Sequence, residues 1–280
     1  MATDITRELI AEDEDEAVRP RRFRGRPELL LTPLSFLLFL GIWEFVVHHY
    51  AVNALLLPPP SRIARALGEG LASGLYLKHF LVTVGEAAAG FGIAAVAGLI
   101  IGTLVTQFWL LERTVYPYLI ALQSMPKIAI APLIVIWFGY GKSSKVIIAA
   151  MISFFPILVN VVVGLRSCEG SRIDLVRSLS GSPWQVFWYV RLPNALPFIF
   201  AGFNIAIIFC ILGAIVGEFV GGEAGLGFLI VAANTTLDVS QVFAVLIVLA
   251  TLGVTVFLGL QYLHRKIVFW AESDDINRYS

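Results

Sequence analysis

A few ionisable and amide side chains lie inside otherwise apolar stretches of this sequence. Side chains of these types can bind a charged or polar solute. Lys127 lies in one such stretch and Glu86 in another. Ionisable groups at membrane depth usually face a cavity or a partner, so Lys127 could be the counter-charge of an anion. The other reading is an ion pair with Glu86 or Glu44, or a side chain that reaches an interface. The candidates for contacting a solute are Gln123, Ser124, Lys127, Asn160, Asn204 and Glu218.

Several of these polar residues have an equally good structural explanation. Asn160 and Asn204 could make hydrogen bonds between helices instead. Glu218 could cap the backbone of the glycine-rich residues 217–227 that surround it. Glu44 and His48 lie four residues apart, so we expect them to bond each other or a neighbouring helix.

Catalytic and metal-binding patterns are weak in this sequence. Gly141-Lys142-Ser143 resembles the end of a phosphate-binding P-loop, but that motif needs a glycine where Ile136 stands. The histidines show no metal-ligand spacing. We therefore expect no nucleotide site, no metal, no other cofactor and no enzymatic activity.

The composition indicates the elements that must position the polar residues. Of the 280 residues, 58% are hydrophobic and 14% are charged, whereas a soluble domain has about 25% charged residues. The apolar stretches are continuous rather than alternating, which favours membrane helices over a barrel. The sequence therefore predicts an all-α membrane protein with six transmembrane helices. The predicted spans are 31–51, 82–107, 115–138, 144–165, 195–221 and 240–263.

Local patterns refine this arrangement. Glu86, Gly90, Ala94, Gly98 and Gly102 follow one another at steps of four, which predicts a smooth helix face for close helix packing. Prolines interrupt the third span. Residues 217–227 are too irregular for a lipid-facing helix, so we expect a loop or re-entrant segment buried in protein.

The lysines and arginines predict the orientation. Most of them fall on the side of the N-terminus, which indicates that both termini and the loop 166–194 are cytosolic, an N-in/C-in arrangement. We expect residues 1–28 to be a disordered cytosolic tail, 29–270 the six-helix domain and 271–280 a second cytosolic tail.

One polar stretch, residues 166–197, separates two apolar spans. It predicts a short helix over 174–179, a break at 180–183 and a second turn through Trp184, Val186 and Phe187. Leu175 and Leu179 lie four residues apart and share a helix face. Flanking charges hold this apolar surface in water, so a partner protein is expected to cover it. The alternative is that the apolar residues pack only against this protein's own helices.

Short stretches along most of the chain resemble motifs of one protein family. With Leu192-Pro193 as the anchor, Asp174-Leu175-Val176 and Ser180 resemble the EAA loop of ABC-importer permeases, with the glycine displaced to Gly181. From about Leu34 to Trp270 the chain is most similar to the nitrate/sulfonate/taurine subgroup. The further motifs are Ile42-Trp43-Glu44, Leu57-Pro58-Pro59-Pro60-Ser61, Pro126 to Leu133 with Trp137-Phe138-Gly139, Phe155 to Asn160, Ala195 to Gly202, and Glu218 to Gly227.

This resemblance implies the type I ABC-importer permease architecture and a coupling helix that docks on a separate ATPase subunit. The residues it assigns to coupling are Asp174, Leu175, Arg177, Leu179, Ser180, Gly181, Trp184, Phe187, Leu192 and Pro193. It implies an ATPase subunit dimer, a second permease copy, a periplasmic binding protein and the lipid bilayer as partners, and no nucleic acid. The implied location is the bacterial inner membrane.

The implied cargo is a small anionic solute of the sulfonate, taurine or nitrate type, although the subgroup also carries neutral heterocycles. The alternative function is an ion-coupled secondary transporter, which would use Lys127, Glu44 and Glu86 as a relay.

Overall fold

The structure, a computed structural model, describes residues 28–53 and 55–271, which divide after Asn53 into two units. The predicted all-α membrane fold is confirmed, and no strand occurs among the residues described. The helices are α1 Glu28–His49, α2 Pro60–Ala72, α3 Leu75–Gln107, α4 Trp109–Thr114, α5 Tyr116–Gln123, α6 Ala131–Phe138, α7 Lys142–Arg166, α8 Gly170–Ser178, α9 Pro183–Val186, α10 Leu192–Gly221, α11 Leu226–Thr235 and α12 Val239–Ile267. The two predicted tails lie outside the described residues, except for their inner boundaries.

Of the first unit, the structure describes α1 and the residues up to Asn53. Its residues Leu31–His49 are long and apolar enough to cross a membrane. The Nδ1 atom of His48 lies 3.5 Å from Oε1 of Glu44 and 3.0 Å from the Glu44 carbonyl oxygen. The predicted contact between Glu44 and His48 is therefore confirmed, with the hydrogen bond made to the Glu44 carbonyl oxygen and the carboxylate farther away.

The second unit holds four long apolar helical stretches and one bent pair. The long stretches are Leu75–Gln107, Lys142–Arg166, Pro183–Gly221 and Val239–Ile267. The second and fifth spans begin earlier than the predicted 82 and 195, because polar residues at their starts continue the helix. The third span turns by 86° between Tyr116–Gln123 and Lys127–Phe138. If this pair counts as one crossing, the two units together give the predicted six.

Close packing of α7 between α3 and α10 forms the centre of the second unit. The predicted smooth face of α3 is buried there. A Cβ atom on Gly90 would lie 2.7 Å from the Cβ of Ala149, and one on Gly213 of α10 would lie 2.7 Å from the Ala149 Cα. Ala149 is fully buried. Glycines from two helices thus converge on one small residue of α7, which lets three backbones approach closely.

The glycine-rich segment after α10 is only partly irregular. Helix α10 continues through Glu218 to Gly221, and the loop spans residues 222–225 before α11 begins. Leu226, Leu229 and Ile230 of α11 are buried in the core with residues of α3, α10 and α12. The prediction of a loop or re-entrant segment buried in protein is therefore only partly confirmed: residues 217–221 are helical with Phe219 and Val220 exposed, whereas Gly225 and the start of α11 are buried.

Candidate functional site

The polar stretch between α7 and α10 forms two helices joined by a tight turn. Helix α8 begins at Gly170, four residues before the predicted start, and ends at Ser178. Ser182 accepts a hydrogen bond from the Gln185 N–H, and Gln185 Oε1 accepts one from the Ser182 N–H. This capping box begins α9. The predicted second turn is therefore the start of the fifth span, because a π-helical turn over 187–191 joins α9 to α10.

The turn after α8 explains the displaced glycine. Ser180 has a φ of 61°, the left-handed conformation that glycine adopts without a Cβ penalty. Gly181 donates its N–H to the Val176 carbonyl at 2.9 Å. A Cβ on Gly181 would lie 2.7 Å from that same oxygen. Position 180 thus tolerates serine at a conformational cost, while position 181 requires glycine for the close approach.

Large apolar side chains of this stretch point away from the protein. Leu175 is 63% exposed, Leu179 76% and Trp184 68%. Phe187 is half-buried and packs on the cluster around Ile157, with its ring centroid 6.1 Å from that of Trp184. We call the exposed residues Leu175, Leu179, Trp184, Trp188 and Tyr189 the apolar patch. Of the predicted anchors, Phe187 therefore fixes the patch to the core instead of contributing much exposed surface.

Polar contacts hold the base of the stretch. Arg191 donates to Gln107 Oε1 at 3.3 Å, and Asn194 donates to the Ser167 hydroxyl at 2.9 Å. Leu192 packs on the same core cluster as Phe187. Beside this base lies an open hollow of about 710 Å³, lined by Arg172, Leu175, Val176, Tyr189, Val190, Pro193, Asn194, Pro197, Phe198 and Trp270.

The exposed end of α8 carries its charges in pairs. The Arg177 guanidinium lies 3.9 Å from the Asp174 carboxylate, and both side chains are largely exposed. Exposed pairs of this kind contribute little to stability. Their charges remain available to a partner.

Lys127 lies at the break of the third span, beside a groove. Its Nζ donates to the Gln123 carbonyl at 2.7 Å and lies 4.6 Å from the centre of the Phe155 ring. The groove has a volume of about 370 Å³ and is otherwise lined mostly by apolar residues, among them Phe209. The ion pair that sequence reasoning allowed between Lys127 and Glu86 is not formed, because Glu86 faces Lys145 instead.

The other candidate path residues lie in different surroundings. Ser124 is exposed beside Gln123, and its hydroxyl donates to the Ile120 carbonyl. Asn160 donates its amide to the Pro156 carbonyl of its own helix at 2.8 Å. Asn204 Oδ1 is buried without a hydrogen-bond donor in the described part of the chain. Only Gln123 and Lys127 of the predicted set line the groove.

The sequence that forms these helices and the loop between them matches a known family. Residues 94–269 match the profile of the binding-protein-dependent transport system inner membrane component. The chain belongs to this family. It is the permease subunit of an ABC importer and not an enzyme, since ATP hydrolysis in these systems is carried out by a separate ATPase. The family works with an ATPase and a binding protein.

Individual permeases are similar over nearly the whole chain. The riboflavin transport system permease protein of Chloroflexus aurantiacus is 38% identical over 86% of this chain and 90% of its own length. The formylaminopyrimidine transport permease protein of Halalkalibacterium halodurans is 34% identical over 85% and 94%. A putative aliphatic sulfonates transport permease protein of Bacillus subtilis is 31% identical over 92% and 94%.

The fold of the permease has also been solved in a distant relative. An inward-facing structure of a methionine ABC transporter superposes with a TM-score of 0.58 and 21% identity. The superposition covers 70% of this chain and 96% of the other. This likeness supports the helical architecture and nothing finer.

At the end of the permease opposite the apolar patch, Glu218 binds backbone rather than lining the groove. Its Oε2 accepts the Gly227 N–H at 2.6 Å, and its Oε1 accepts the Thr83 hydroxyl at 2.6 Å. Thr83 in turn accepts the Leu226 N–H at 2.8 Å, and His79 Nδ1 accepts the Gly225 N–H at 2.9 Å. The carboxylate and its neighbours therefore fix the start of α11 to α3.

Sequence reasoning missed several residues of these sites. Thr83 and His79 gave no signal, because each stands alone within α3 and meets its partners only in the folded chain. Lys145 resembles a flanking charge at a membrane boundary, yet it is buried. Trp188 and Tyr189 are 46% and 76% exposed, although their aromatic run gives no hint of which side faces out.

Proposed function

We propose that the apolar patch docks on the ATPase subunits of the importer. The observation that supports this is the exposure of Leu175, Leu179 and Trp184 on a loop whose arginines and acids keep it in water. Lipid does not cover such a loop, and contiguous exposed apolar surface usually marks a protein interface. The open hollow beside Leu175 gives the partner a concave surface to fill.

The patch is well placed to transmit movement. Trp184 lies at the start of the continuous helical stretch Pro183–Gly221, and α8 follows directly on α7. Two ATPase subunits that close on ATP would draw two docked patches together. The attached spans would then switch the path between inward-facing and outward-facing states.

A double substitution tests the docking. Leu175→Asp with Leu179→Asp places charge on the apolar face and should abolish co-purification of the ATPase while membrane insertion is retained. Leu175→Met with Leu179→Met is the matched control, since Leu and Met have similar volume and apolarity. Retained association of the Asp variant would refute the docking role.

We infer that two copies of the chain line one path in the bacterial inner membrane. The groove beside Lys127 is an open one, which a second copy could close into a path, and closed two-fold assemblies are the commonest oligomers. A periplasmic binding protein would deliver the solute to the face opposite the apolar patch. An epitope tag attached at Ser280 tests the predicted N-in/C-in orientation. In intact cells the tag should be protected from protease added outside.

The groove beside Lys127 is our candidate for the solute contact. A single lysine among aromatic and aliphatic side chains suits a small organic anion, as the sulfonate relative suggests. An uncharged heterocycle is the second candidate. It is favoured by the Phe155 and Phe209 rings and by the names of the riboflavin and formylaminopyrimidine relatives.

Transport by a Lys127→Met variant tests the anion candidate. Uptake of an anion should fall, because the counter-charge is lost, while assembly with the ATPase should be unchanged. Lys142→Met, which removes an exposed lysine at the start of α7, is the control. Unchanged anion uptake by the Lys127 variant would remove this residue from the path.

A further inference from the structure

A second group of ionisable side chains is buried at the end of the permease opposite the apolar patch. Lys145 Nζ lies 3.6 Å from Glu86 Oε1, and the two side chains are 5% and 2% exposed. Both carboxyl oxygens of Glu86 lack a hydrogen-bond donor within the described ranges. Glu218, which is 1% exposed, lies in the same buried region: Thr83, three residues before Glu86 on α3, donates to its Oε1 at 2.6 Å, and a Cβ on the preceding Gly217 would lie 3.0 Å from the Lys145 Cα. We call Glu86, Lys145 and Glu218 the buried triad.

Among the residues that the structure describes, the elements packed around the buried triad add no second buried positive charge. His79 of α3 accepts the Gly225 N–H at Nδ1, so that nitrogen carries no proton and the ring is neutral. From α11 only backbone N–H groups reach the site. Lys78 of α3, Glu223 before α11 and Lys142 of α7 are exposed to the outside of the unit. Lys142 shares a groove of about 480 Å³ with Glu86.

The charges inside the cluster therefore do not balance if both carboxyls are ionised. Two carboxylates and one ammonium would leave one net negative charge away from water. An uncompensated buried charge is costly, and two adjoining carboxyls avoid it by keeping a proton. Glu218 already accepts two hydrogen bonds, whereas Glu86 has no donor, so a proton on the pair also supplies the missing hydrogen bond.

We propose that Glu86 and Glu218 together bind one proton, with Lys145 as the counter-charge of the remaining carboxylate. The proton belongs to the pair and not to either residue alone. The site is closed by the loop over residues 222–225, because a Cβ on Gly225 would meet the Glu218 carboxyl. The loop thus packs directly on this carboxyl and helps to exclude water from it.

Infrared spectroscopy of the full-length permease in lipid nanodiscs tests this directly. A protonated carboxyl has a C=O stretch that is resolved from that of a carboxylate. We expect this band at neutral pH in the wild type and its loss in both Glu86→Gln and Glu218→Gln, since one carboxylate then balances Lys145. Glu69→Gln, at an exposed position of α2, is the matched control and should leave the band unchanged.

Two lysine variants extend the test. Lys145→Met should increase the band about twofold, because both carboxyls must then be neutral. Lys142→Gln should leave it unchanged. If Lys142 instead neutralises the second carboxylate, the wild type shows no band, and that result overturns the proposal. A band that persists in both glutamine variants overturns it as well. Glu86→Gln keeps the size of the side chain and leaves Glu218 to balance Lys145, so it decides the matter even if Glu218→Gln, which removes the acceptor of the Gly227 N–H, does not fold.

Discussion

Replacement of Gly90 by alanine should destabilise the permease, whereas the same change at Gly92 should not. A Cβ on Gly90 would lie 2.7 Å from the Ala149 Cβ and 3.0 Å from the Val146 carbonyl oxygen. Neither atom is the end of a flexible side chain, so relief requires α3 and α7 to separate. A Cβ on Gly92 would have nothing within 4 Å.

The two substitutions share their effect on helix propensity and differ only in packing. Alanine in place of a mid-helix glycine stabilises by about 1 kcal/mol. Overpacking at a tight contact costs about 1–3 kcal/mol. We therefore expect the free energy of unfolding of Gly90→Ala to lie roughly 1–3 kcal/mol below that of Gly92→Ala, a gap in Tm of several degrees at about 2–4 °C per kcal/mol.

Thermal unfolding of the purified chain in detergent, followed by tryptophan fluorescence, measures this difference. Both variants are read against the wild type in the same detergent. Equal Tm values for the two variants would show that α3 and α7 are not held at the separation described, and the reasoning on the glycine face would fail. Gly213→Ala, which meets the backbone of the same Ala149, should behave like Gly90→Ala.

Two further predictions concern the turn after α8 and the hydrogen bonds of Thr83 that hold the start of α11. Ser180→Gly should stabilise the turn after α8 by about 1 kcal/mol, because glycine adopts the left-handed backbone conformation without the cost that a Cβ brings. Amide hydrogen exchange over residues 176–186 should therefore slow in this variant. In Ser180→Val the same exchange should accelerate. Thr83→Val should lower the Tm, because it leaves the Leu226 N–H and a Glu218 oxygen unpaired at about 1–3 kcal/mol each. Thr83→Ser should restore the Tm. An unchanged Tm for the valine variant would show that the hydrogen bonds of Thr83 do not hold the start of α11.

The sequence predicts features that repeat along one helix and misses those that depend on distant partners. The steps of four from Glu86 to Gly102 predict a packing face because helix geometry alone places them together. Nothing in that pattern reveals Ala149 as the residue they meet. The same limit explains why Lys127 was considered as a partner of Glu86 although Lys145 takes that place.

Local backbone conformation was harder to predict than the spans themselves. Pro126 and its neighbours indicate an interruption of the third span, but not that the chain turns by 86° there. The start of the fifth span at Pro183 rests on the capping box of Ser182 and Gln185, whose polar residues look like loop. The capping hydrogen bonds before Pro183 and the missing backbone N–H of Pro126 outweigh the hydropathy of the surrounding residues.

The stretch from Pro183 to Gly221 has a mechanical consequence. It holds 39 residues without a loop, a length of about 58 Å at the rise of an α-helix. Trp184 stands at one end of this rod and Glu218 at the other. The docking and the proton binding that we propose would therefore act at opposite ends of the same helical stretch. Each would shift the equilibrium of the other if this stretch takes up different positions in the inward-facing and outward-facing states.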